Sequence, residues 1–177
     1  MTYYTSDLHL GHANIIKLCE RPFYYVQEMD EALINNWNNC VTNRDTVYIL
    51  GDLMFRVVNP ENYLLRLKGK KHLIVGNHDP SWMKNVELTK YFDSVERIAV
   101  INTGKCKATL CHYPMMSYEG DYLLYGHIHN HKNDTYWPIL KKMENALNVC
   151  VEVNGYRPAT FDELVENNRI FRGEEPK

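Results

Sequence analysis

The sequence predicts an α/β fold in a single domain that spans residues 1–177. Short apolar runs alternate with helical patterns over the first half of the chain, and strand-like runs follow one another in the second half. A chain of 177 residues has the length of one typical domain and can bury a substantial core. We find no repeat, linker or low-complexity segment, and we expect residues 172–177 to form a frayed tail.

Three strands are predicted in the first half, and each ends at polar residues. The second and third are apolar enough to be buried. The three cover Thr2–Thr5, Thr46–Leu50 and His72–Val75.

Helical patterns lie between these strands and after them. Apolar side chains at four-residue spacing predict an amphipathic helix over residues 28–41. Asn59-Pro60 supplies an N-cap and a proline at the first helical position, which predicts a helix that ends near Leu67. Asp79-Pro80 carries the same start signal.

The second half is predicted to be richer in antiparallel strands. Ser94–Ile101 and Cys106–Cys111, joined by a turn, have the pattern of a hairpin. Further strands are expected near Tyr122–Tyr125 and Leu147–Val153. A capping box that starts at Thr160 opens a last helix, which we expect to continue to about residue 167.

Composition excludes several classes of protein. The net charge of -2 gives no overall field that would attract nucleic acid or an anionic membrane. The five cysteines are scattered without a C-x-x-C pair, which argues against a disulfide framework or a cysteine-rich zinc knuckle. The N-terminal residues do not resemble a signal peptide, and no apolar run reaches 18 residues. We therefore expect a cytoplasmic protein with reduced thiols and no membrane span.

Residues with catalytic or metal-binding potential follow the predicted strands directly. They are Asp7 and His9, Asp52, Asn77, His78 and Asp79, His112, and His127 and His129. Because ligands bind at the carboxyl ends of strands in open α/β sheets, these side chains can converge on one edge. Each motif alone has a plain structural explanation, such as a turn aspartate, a helix cap or a surface histidine. Together and in this order, they are typical of a metal or catalytic site.

The ordered motifs resemble those of the calcineurin-like metallophosphoesterases. In this chain they are Asp7-Leu-His9, Gly51-Asp52, Gly76-Asn-His-Asp79, His112-Tyr-Pro114 and Gly126-His-Ile-His129. The opening TSDLHLGHANIIKLCERPF is similar to a compact bacterial and phage subgroup of phosphoesterases. The resemblance implies a four-layer αββα sandwich of two mixed β-sheets flanked by helices, the metallo-dependent phosphatase fold, with a two-metal centre.

The resemblance also implies seven ligands for two divalent metal ions. One ion takes Asp7, His9 and His129, the other takes Asn77, His112 and His127, and Asp52 bridges them. Oxygen and nitrogen ligands of this kind suit Mn²⁺, which we expect first, with Fe, Zn²⁺ or Ni²⁺ as alternatives. A hydroxide shared by two such ions can attack phosphorus in line.

His78 is not needed as a ligand, and we expect it to protonate the leaving group as a general acid. Asp79 is expected to orient the His78 imidazole and raise its pKa. Capping of the helix that begins at Pro80 is an alternative role for Asp79.

Four further residues are candidates for substrate contact. They are His12, Asn14, Arg21 and Arg56. Either arginine could hold a phosphate oxygen, although a surface ion pair is the commoner role, and the other two residues could instead cap a helix. We expect His131, the third histidine of GHIHNH, to lie at the rim of the site or in an exposed loop rather than to bind metal.

The predicted activity is hydrolysis of a phosphoester, and a phosphodiester is favoured. The chain leaves few residues for a cap domain, so an open cleft that admits a nucleotide or short nucleic acid is expected. A phosphomonoesterase or phosphoprotein phosphatase would use the same ligands. A catalytically weak interaction scaffold with this fold is another alternative, and both a monomer and a homodimer remain open.

Two other kinds of metal protein fit poorly. A metallo-β-lactamase-type H-x-H-x-D-H motif would need an aspartate that the Asn130-His131-Lys132 segment lacks. A structural zinc site favours closed, usually cysteine-rich, four-coordinate ligation.

Overall fold

The computed structural model describes residues 1–174, which form two four-stranded β-sheets. The first sheet has its strands in chain order, and every neighbouring pair is parallel. Its strands are β1 (Thr2–Thr5), β2 (Thr46–Ile49), β3 (Lys70–Ile74) and β4 (Ser94–Glu96). The three strands predicted in the first half are thus confirmed, and this sheet is parallel throughout rather than mixed.

The second sheet is mixed and also has its strands in chain order. Its strands are β5 (Ile98–Asn102), β6 (Lys107–Cys111), β7 (Tyr122–Tyr125) and β8 (Ala146–Asn148). Only β5 and β6 form an antiparallel pair, whereas β6 to β8 run parallel. The second half is thus richer in antiparallel pairing than the first, as expected, but this pairing is confined to the hairpin.

The segment predicted as one strand over residues 94–101 is divided between the two sheets. β4 pairs with β3, the chain crosses at Arg97, and β5 pairs with β6. Alternating apolar residues indicate which side chains face a core, but they do not identify the partner strand. For this reason, the hairpin was recognised while the change of sheet was missed.

Side chains of the first sheet alternate between two cores. Tyr3 and Val47 pack on the outer side against helices, whereas Tyr4 and Leu50 pack inward. The inner core also contains Leu124 of the second sheet, so the two sheets face each other. A third cluster covers the outer face of the second sheet. This arrangement confirms the four-layer α/β sandwich.

Six α-helices and one short 3₁₀ helix (Leu88–Lys90) accompany the sheets among the described residues. The α-helices are α1 (Ile15–Leu18), α2 (Val26–Cys40), α3 (Glu61–Leu64), α4 (Pro80–Met83), α5 (Trp137–Leu140) and α6 (Phe161–Arg172). No helix in this part of the chain is long and apolar enough to cross a membrane.

The last helix is longer than predicted and extends to Arg172. Residue 172, where the frayed tail was expected to begin, is therefore helical. Arg172 is buried within α6, and its Nε donates to Glu174 at 2.6 Å. Gly173 ends the helix with a left-handed φ of 79°, the usual conformation of a glycine C-cap. Residues 175–177 of the predicted tail lie outside the described residues.

The two sheets are joined at the carboxyl end of β1. Ser6 N–H donates to Val149 O at 3.1 Å, and Val151 N–H donates back to Ser6 O at 3.2 Å. The chain just after β1 is thereby fixed to the chain just after β8. The loops that carry the polar motifs meet at this junction.

Candidate metal centre

Among the described residues, three groups of side chains could hold a metal ion, and two of them, made of predicted ligands, lie where the strand-end loops meet. In each cluster, one ligand atom per residue lies within 4.8 Å of the others. The first cluster is Asp7, His9 and His129, and the second is Asp52, His112 and His127. The structure therefore brings together six of the seven ligands that the resemblance implies, with Asp52, the expected bridge, grouped with His112 and His127.

Asp52, a member of the second cluster, also lies close to the first. Its Oδ2 is 3.6 Å from His9 Nε2 in the first cluster and 3.5 Å from His112 Nε2 in the second. Asn77, the seventh predicted ligand, places its Oδ1 3.0 Å from His112 Nε2. The first cluster closes around Asp7 Oδ1, which is 3.7 Å from His129 Nε2. Asp52 thus has the position of a carboxylate that could bridge two ions.

Unpartnered buried atoms indicate that these residues fit a cation. Asp7 Oδ1 and His9 Nε2 are both buried, and neither has a hydrogen-bond partner among the described residues. Leaving buried polar atoms unpaired costs free energy, and a bound cation would satisfy both of these atoms at once. Carboxylate, imidazole and amide donors without a thiolate match divalent first-row metals.

The electrostatics also favour metal binding. Burial lowers the pKa of His9 to about 3, despite the opposing charges of Asp7 and Asp52, so its imidazole is neutral and can coordinate. Burial opposes ionisation of Asp52, yet its hydrogen bond with His112 lowers the carboxyl pKa to about 2. Both groups are therefore in the protonation state that a metal ligand requires.

Without an ion, two other histidines of the site hold protons tightly. Burial disfavours the charged form of His112, but hydrogen bonding and charge from Asp52 raise its pKa to about 9. His129 behaves similarly: burial is outweighed by hydrogen bonds and nearby carboxylates, and its pKa rises to about 11. The carboxylates around both imidazoles therefore favour positive charge, and an ion that binds there would displace the proton from each ring.

The ligand side chains are held in place by their other polar atoms. Asp7 Oδ2 accepts a hydrogen bond from His127 N–H at 2.9 Å and another from Cys150 Sγ at 3.2 Å, while Oδ1 remains free. His112 Nδ1 lies 2.8 Å from Leu50 O, so Nε2 faces Asp52. Contacts of this kind orient metal ligands and select the tautomer.

A buried ion pair supports His129. Glu152 Oε1 lies 3.0 Å from His129 Nδ1 and accepts hydrogen bonds from Arg21 Nε at 3.0 Å and Nη2 at 2.7 Å. Arg21 also donates to the backbone oxygens of Asp7 at 2.6 Å and Leu8 at 2.8 Å. The pair therefore connects a ligand imidazole to the backbone of the D-x-H motif.

Five of the predicted ligands have left-handed backbone conformations. Their φ values are 56° for Asp7, 52° for His9, 53° for Asp52, 72° for His127 and 51° for His129. Positive φ is uncommon in residues other than glycine, and such strain is concentrated at functional sites. The strained backbone of these loops lowers their stability, and it directs the ligand side chains into the site.

Two motif glycines permit close approach of the ligand loops. A Cβ atom on Gly76 would collide with Asp52 Oδ1, and one on Gly126 would collide with Asp7 Oδ2. The absence of a side chain therefore explains why glycine precedes the ligands in both the G-N-H-D and G-H-x-H segments.

His78 lies at the mouth of the site, with 39% of its side chain exposed. Its Nε2 is 4.0 Å from Asp52 Oδ2, and its backbone N–H donates to Asp52 Oδ1 at 2.8 Å. The imidazole is thus close to the ligand clusters and accessible from solvent.

The expectation that Asp79 orients the His78 imidazole was wrong. Asp79 is fully buried and accepts hydrogen bonds from backbone N–H groups of Gly76, Asp52 and Leu53, and from the Trp82 indole. The alternative role is also absent, since its side chain makes no capping bond to α4. Burial raises the Asp79 pKa, and these bonds oppose that effect. Asp79 instead joins the loops after β2 and β3.

Among the four candidate substrate residues, the prediction for Arg21 was wrong, because its side chain is buried and forms an ion pair with Glu152. His12 lies beside the site, with its Nδ1 3.2 Å from His9 Nδ1. Arg56 is exposed, and its guanidinium carbon lies 5.1 Å from the centre of the Phe55 ring. Asn14 is exposed at the start of α1, where its side chain makes no capping bond.

His131 lies outside both ligand clusters. Its Nε2 is 3.2 Å from Leu18 O and 4.0 Å from Cys19 Sγ, and the residue is exposed. The structure therefore separates the third histidine of GHIHNH from the other two.

Sequence reasoning missed two residues of the site. Glu152 stands alone as a charged residue in the apolar segment that follows β8, and this isolation was the available signal. Phe55, three residues after Asp52, contacts the rings of His9, His12 and His78. An aromatic residue in a loop carries no motif by itself, so contacts were needed to identify it.

The sandwich and its paired ligand clusters define a protein of the metallo-dependent phosphatase class. Residues 2–113 match the model of the calcineurin-like phosphoesterase family, and the chain belongs to that family. Members of the family bind divalent metals and hydrolyse phosphoesters, so the clusters are candidate sites for such ions.

The regions that match similar proteins cover most of the length of this chain. An uncharacterized protein of Methanocaldococcus jannaschii is 36% identical over 179 residues, covering 96% of this chain and 94% of that protein. The Gene 66 protein of Mycobacterium phage L5 is 31% identical over 68% of this chain and 65% of its own length. The crystal structure of a protein of unknown function from Aquifex aeolicus superposes with a TM-score of 0.73 and 26% identity. That match covers 92% of this chain and 96% of the other.

Proposed function

We propose that this protein is a phosphodiesterase that uses two divalent ions, with Mn²⁺ as the first candidate. The position of Asp52 carries the proposal, because one carboxylate oxygen lies within 3.6 Å of a histidine from each cluster. A carboxylate shared in this way is suited to two neighbouring cations. Two such ions would supply Lewis acidity and lower the pKa of a bound water.

The ligand roles follow from the two clusters. Asp7, His9 and His129 would hold one ion, and Asn77, His112 and His127 would hold the other, with Asp52 shared. The unpartnered Asp7 Oδ1 and His9 Nε2 support the first set. The 3.0 Å approach of Asn77 Oδ1 to His112 Nε2 supports the second.

The exposed residues at the mouth of the site suit substrate contact. His78 would donate a proton to the leaving oxygen as a general acid, since its imidazole is accessible and close to Asp52. Arg56 would hold a phosphate oxygen, because its guanidinium is exposed beside Phe55. His12 would contact substrate beside the first cluster, since its Nδ1 lies 3.2 Å from His9 Nδ1.

An open cleft favours a diester. Asn77 and His127 are exposed and His78 is partly exposed, so the site opens to solvent at these three residues. A phosphorus with organic groups on both sides, as in a nucleotide or short nucleic acid, can enter such a site. Hydrolysis of a monoester or phosphoprotein remains the second candidate because it would use the same ligands.

Hydrolysis of bis-p-nitrophenyl phosphate and p-nitrophenyl phosphate with Mn²⁺ tests the proposal. Asp52→Ala should lose metal and activity together, whereas His78→Ala should keep metal and lose about 10²–10⁴-fold in kcat for a diester with a more basic leaving group, such as diphenyl phosphate, where general acid catalysis matters most. His131→Ala serves as a control that should retain both. Metal-dependent turnover of neither ester by the wild type would contradict the proposal and favour a non-catalytic scaffold.

A further inference from the structure

We propose that Phe55 is a positioning residue that holds the His78 imidazole in its proton-donating orientation. The inference rests on the proposed function, in which His78 is the general acid. The Phe55 ring meets the His78 ring edge to face, with centroids 5.0 Å apart and an interplanar angle of 73°. It also stacks on His12, with centroids 3.8 Å apart, and lies 6.4 Å from the His9 ring.

His78 needs an external support because its expected partner is engaged elsewhere. Asp79 directs both carboxylate oxygens to backbone N–H groups and the Trp82 indole. The nearest carboxylate to His78 Nε2 is that of Asp52, at 4.0 Å, which is beyond hydrogen-bond distance. Within residues 1–174, the His78 imidazole lies against Asp52, His9 and Phe55.

An imidazole that is 39% exposed can rotate among several rotamers, and only a fraction of them point toward the leaving group. An edge-to-face ring contact favours one of these rotamers by up to roughly tenfold. The contact with Phe55 therefore increases the population that can donate a proton. Metal binding does not require this orientation.

The backbone around Phe55 is fixed relative to His78. Phe55 N–H donates to Leu10 O at 3.1 Å, and the next residue, Arg56, has a left-handed φ of 52°. Arg56 N–H donates to Ser81 Oγ at 3.1 Å, and the same hydroxyl donates to His78 O at 2.7 Å. Ser81 therefore connects the two loops and limits the movement of the Phe55 backbone relative to the His78 backbone.

The test compares two diesters whose leaving groups differ in their need for a proton. Bis-p-nitrophenyl phosphate releases a stabilised phenolate, whereas diphenyl phosphate releases a more basic one that depends more on a general acid. Phe55→Leu should lower kcat for diphenyl phosphate by about five- to tenfold and change kcat for the nitrophenyl diester by less than about twofold. KM should change little for either ester.

Two variants serve as controls. Phe55→Tyr keeps the ring and should restore the wild-type ratio of the two kcat values. Phe161→Leu removes a phenyl ring that packs on Tyr122 at the start of α6 and should leave the ratio unchanged. In the Zn²⁺-loaded protein, the His78 Cε1 proton should lose its ring-current shift in Phe55→Leu and retain it in Phe55→Tyr.

The outcomes separate the inference from the function on which it rests. An active wild type whose kcat falls equally on both esters in Phe55→Leu, or on neither, would overturn the positioning role alone. An unchanged His78 proton shift in that variant would do the same. A wild type that hydrolyses neither ester would contradict the proposed function first.

Discussion

Replacing Glu152 by glutamine should weaken divalent-metal binding even though Glu152 is not among the seven proposed ligands. Its Oε1 lies 3.0 Å from His129 Nδ1 and receives two hydrogen bonds from Arg21. The side chain is 1% exposed, so water cannot replace the lost charge. A neutral amide would hold the His129 ring less firmly and make its Nε2 a poorer donor.

The expected loss is about 10–100-fold in affinity, the usual effect of removing a carboxylate that supports a histidine ligand. This corresponds to about 1.4–2.7 kcal/mol of binding free energy. Breaking a buried ion pair also destabilises the fold by about 3–5 kcal/mol, because the Arg21 guanidinium keeps its charge. Glutamine preserves one oxygen acceptor, so the loss of stability should be at the lower end of that range.

Isothermal titration with Mn²⁺, together with circular dichroism to confirm folding, measures the effect. Glu163→Gln provides a matched control, because Glu163 pairs with Arg157 at 2.7 Å near the start of α6, where no proposed ligand lies. That variant should bind Mn²⁺ as the wild type does. An affinity of folded Glu152→Gln within about twofold of the wild type would refute the support assigned to this carboxylate.

Other substitutions test separate parts of the structure. His131→Ala should keep both ions after dialysis, whereas His129→Ala should lose one; loss of an ion from His131→Ala would show that the histidines were divided wrongly. Gly76→Ala should lower both Tm and metal content because its Cβ meets Asp52 Oδ1, and an unchanged Tm would disprove that close approach. Hydrogen bonding from Arg157 lowers the Glu163 pKa to about 2, below its ordinary 4.5. This stabilisation, about 1 kcal/mol after allowance for solvent screening, is complete above pH 4.5 and is lost as the pH falls through about 2. The difference in unfolding free energy between wild type and Glu163→Gln should therefore disappear near pH 2, and a constant difference in urea titrations would contradict this.

The sequence predicted the site better than it predicted the second sheet. Asp7, Asp52 and His112 each follow a strand, and parallel neighbours deliver such residues to one edge regardless of side-chain detail. Recognising the first three strands of the first sheet needed only apolar runs of the right length. By contrast, the change of sheet at Arg97 depends on which partner offers the better backbone hydrogen bonds, and local patterning does not contain that information.

The wrong predictions of residue roles had a different cause from the missed change of sheet. Arg21 and Asp79 carry charges that suggest contact with substrate or a catalytic partner, but both are buried and satisfied by backbone groups and a neighbouring side chain. Their roles depend on how deeply their side chains are buried, and a sequence motif does not contain that information. Glu152 was missed for the complementary reason, since its partners, Arg21 and His129, lie 131 and 23 positions away.

The junction between β1 and the segment after β8 has a consequence for synthesis of the chain. Asp7 leaves the ribosome before its Oδ2 partner Cys150, which lies 143 positions later in the chain. Domains fold as units during translation, and closing a contact of this separation is slow and costly in entropy. The complete set of ligands can therefore be fixed in place only after Cys150 has been made. Uptake of metal would thus mark the end of folding rather than its beginning.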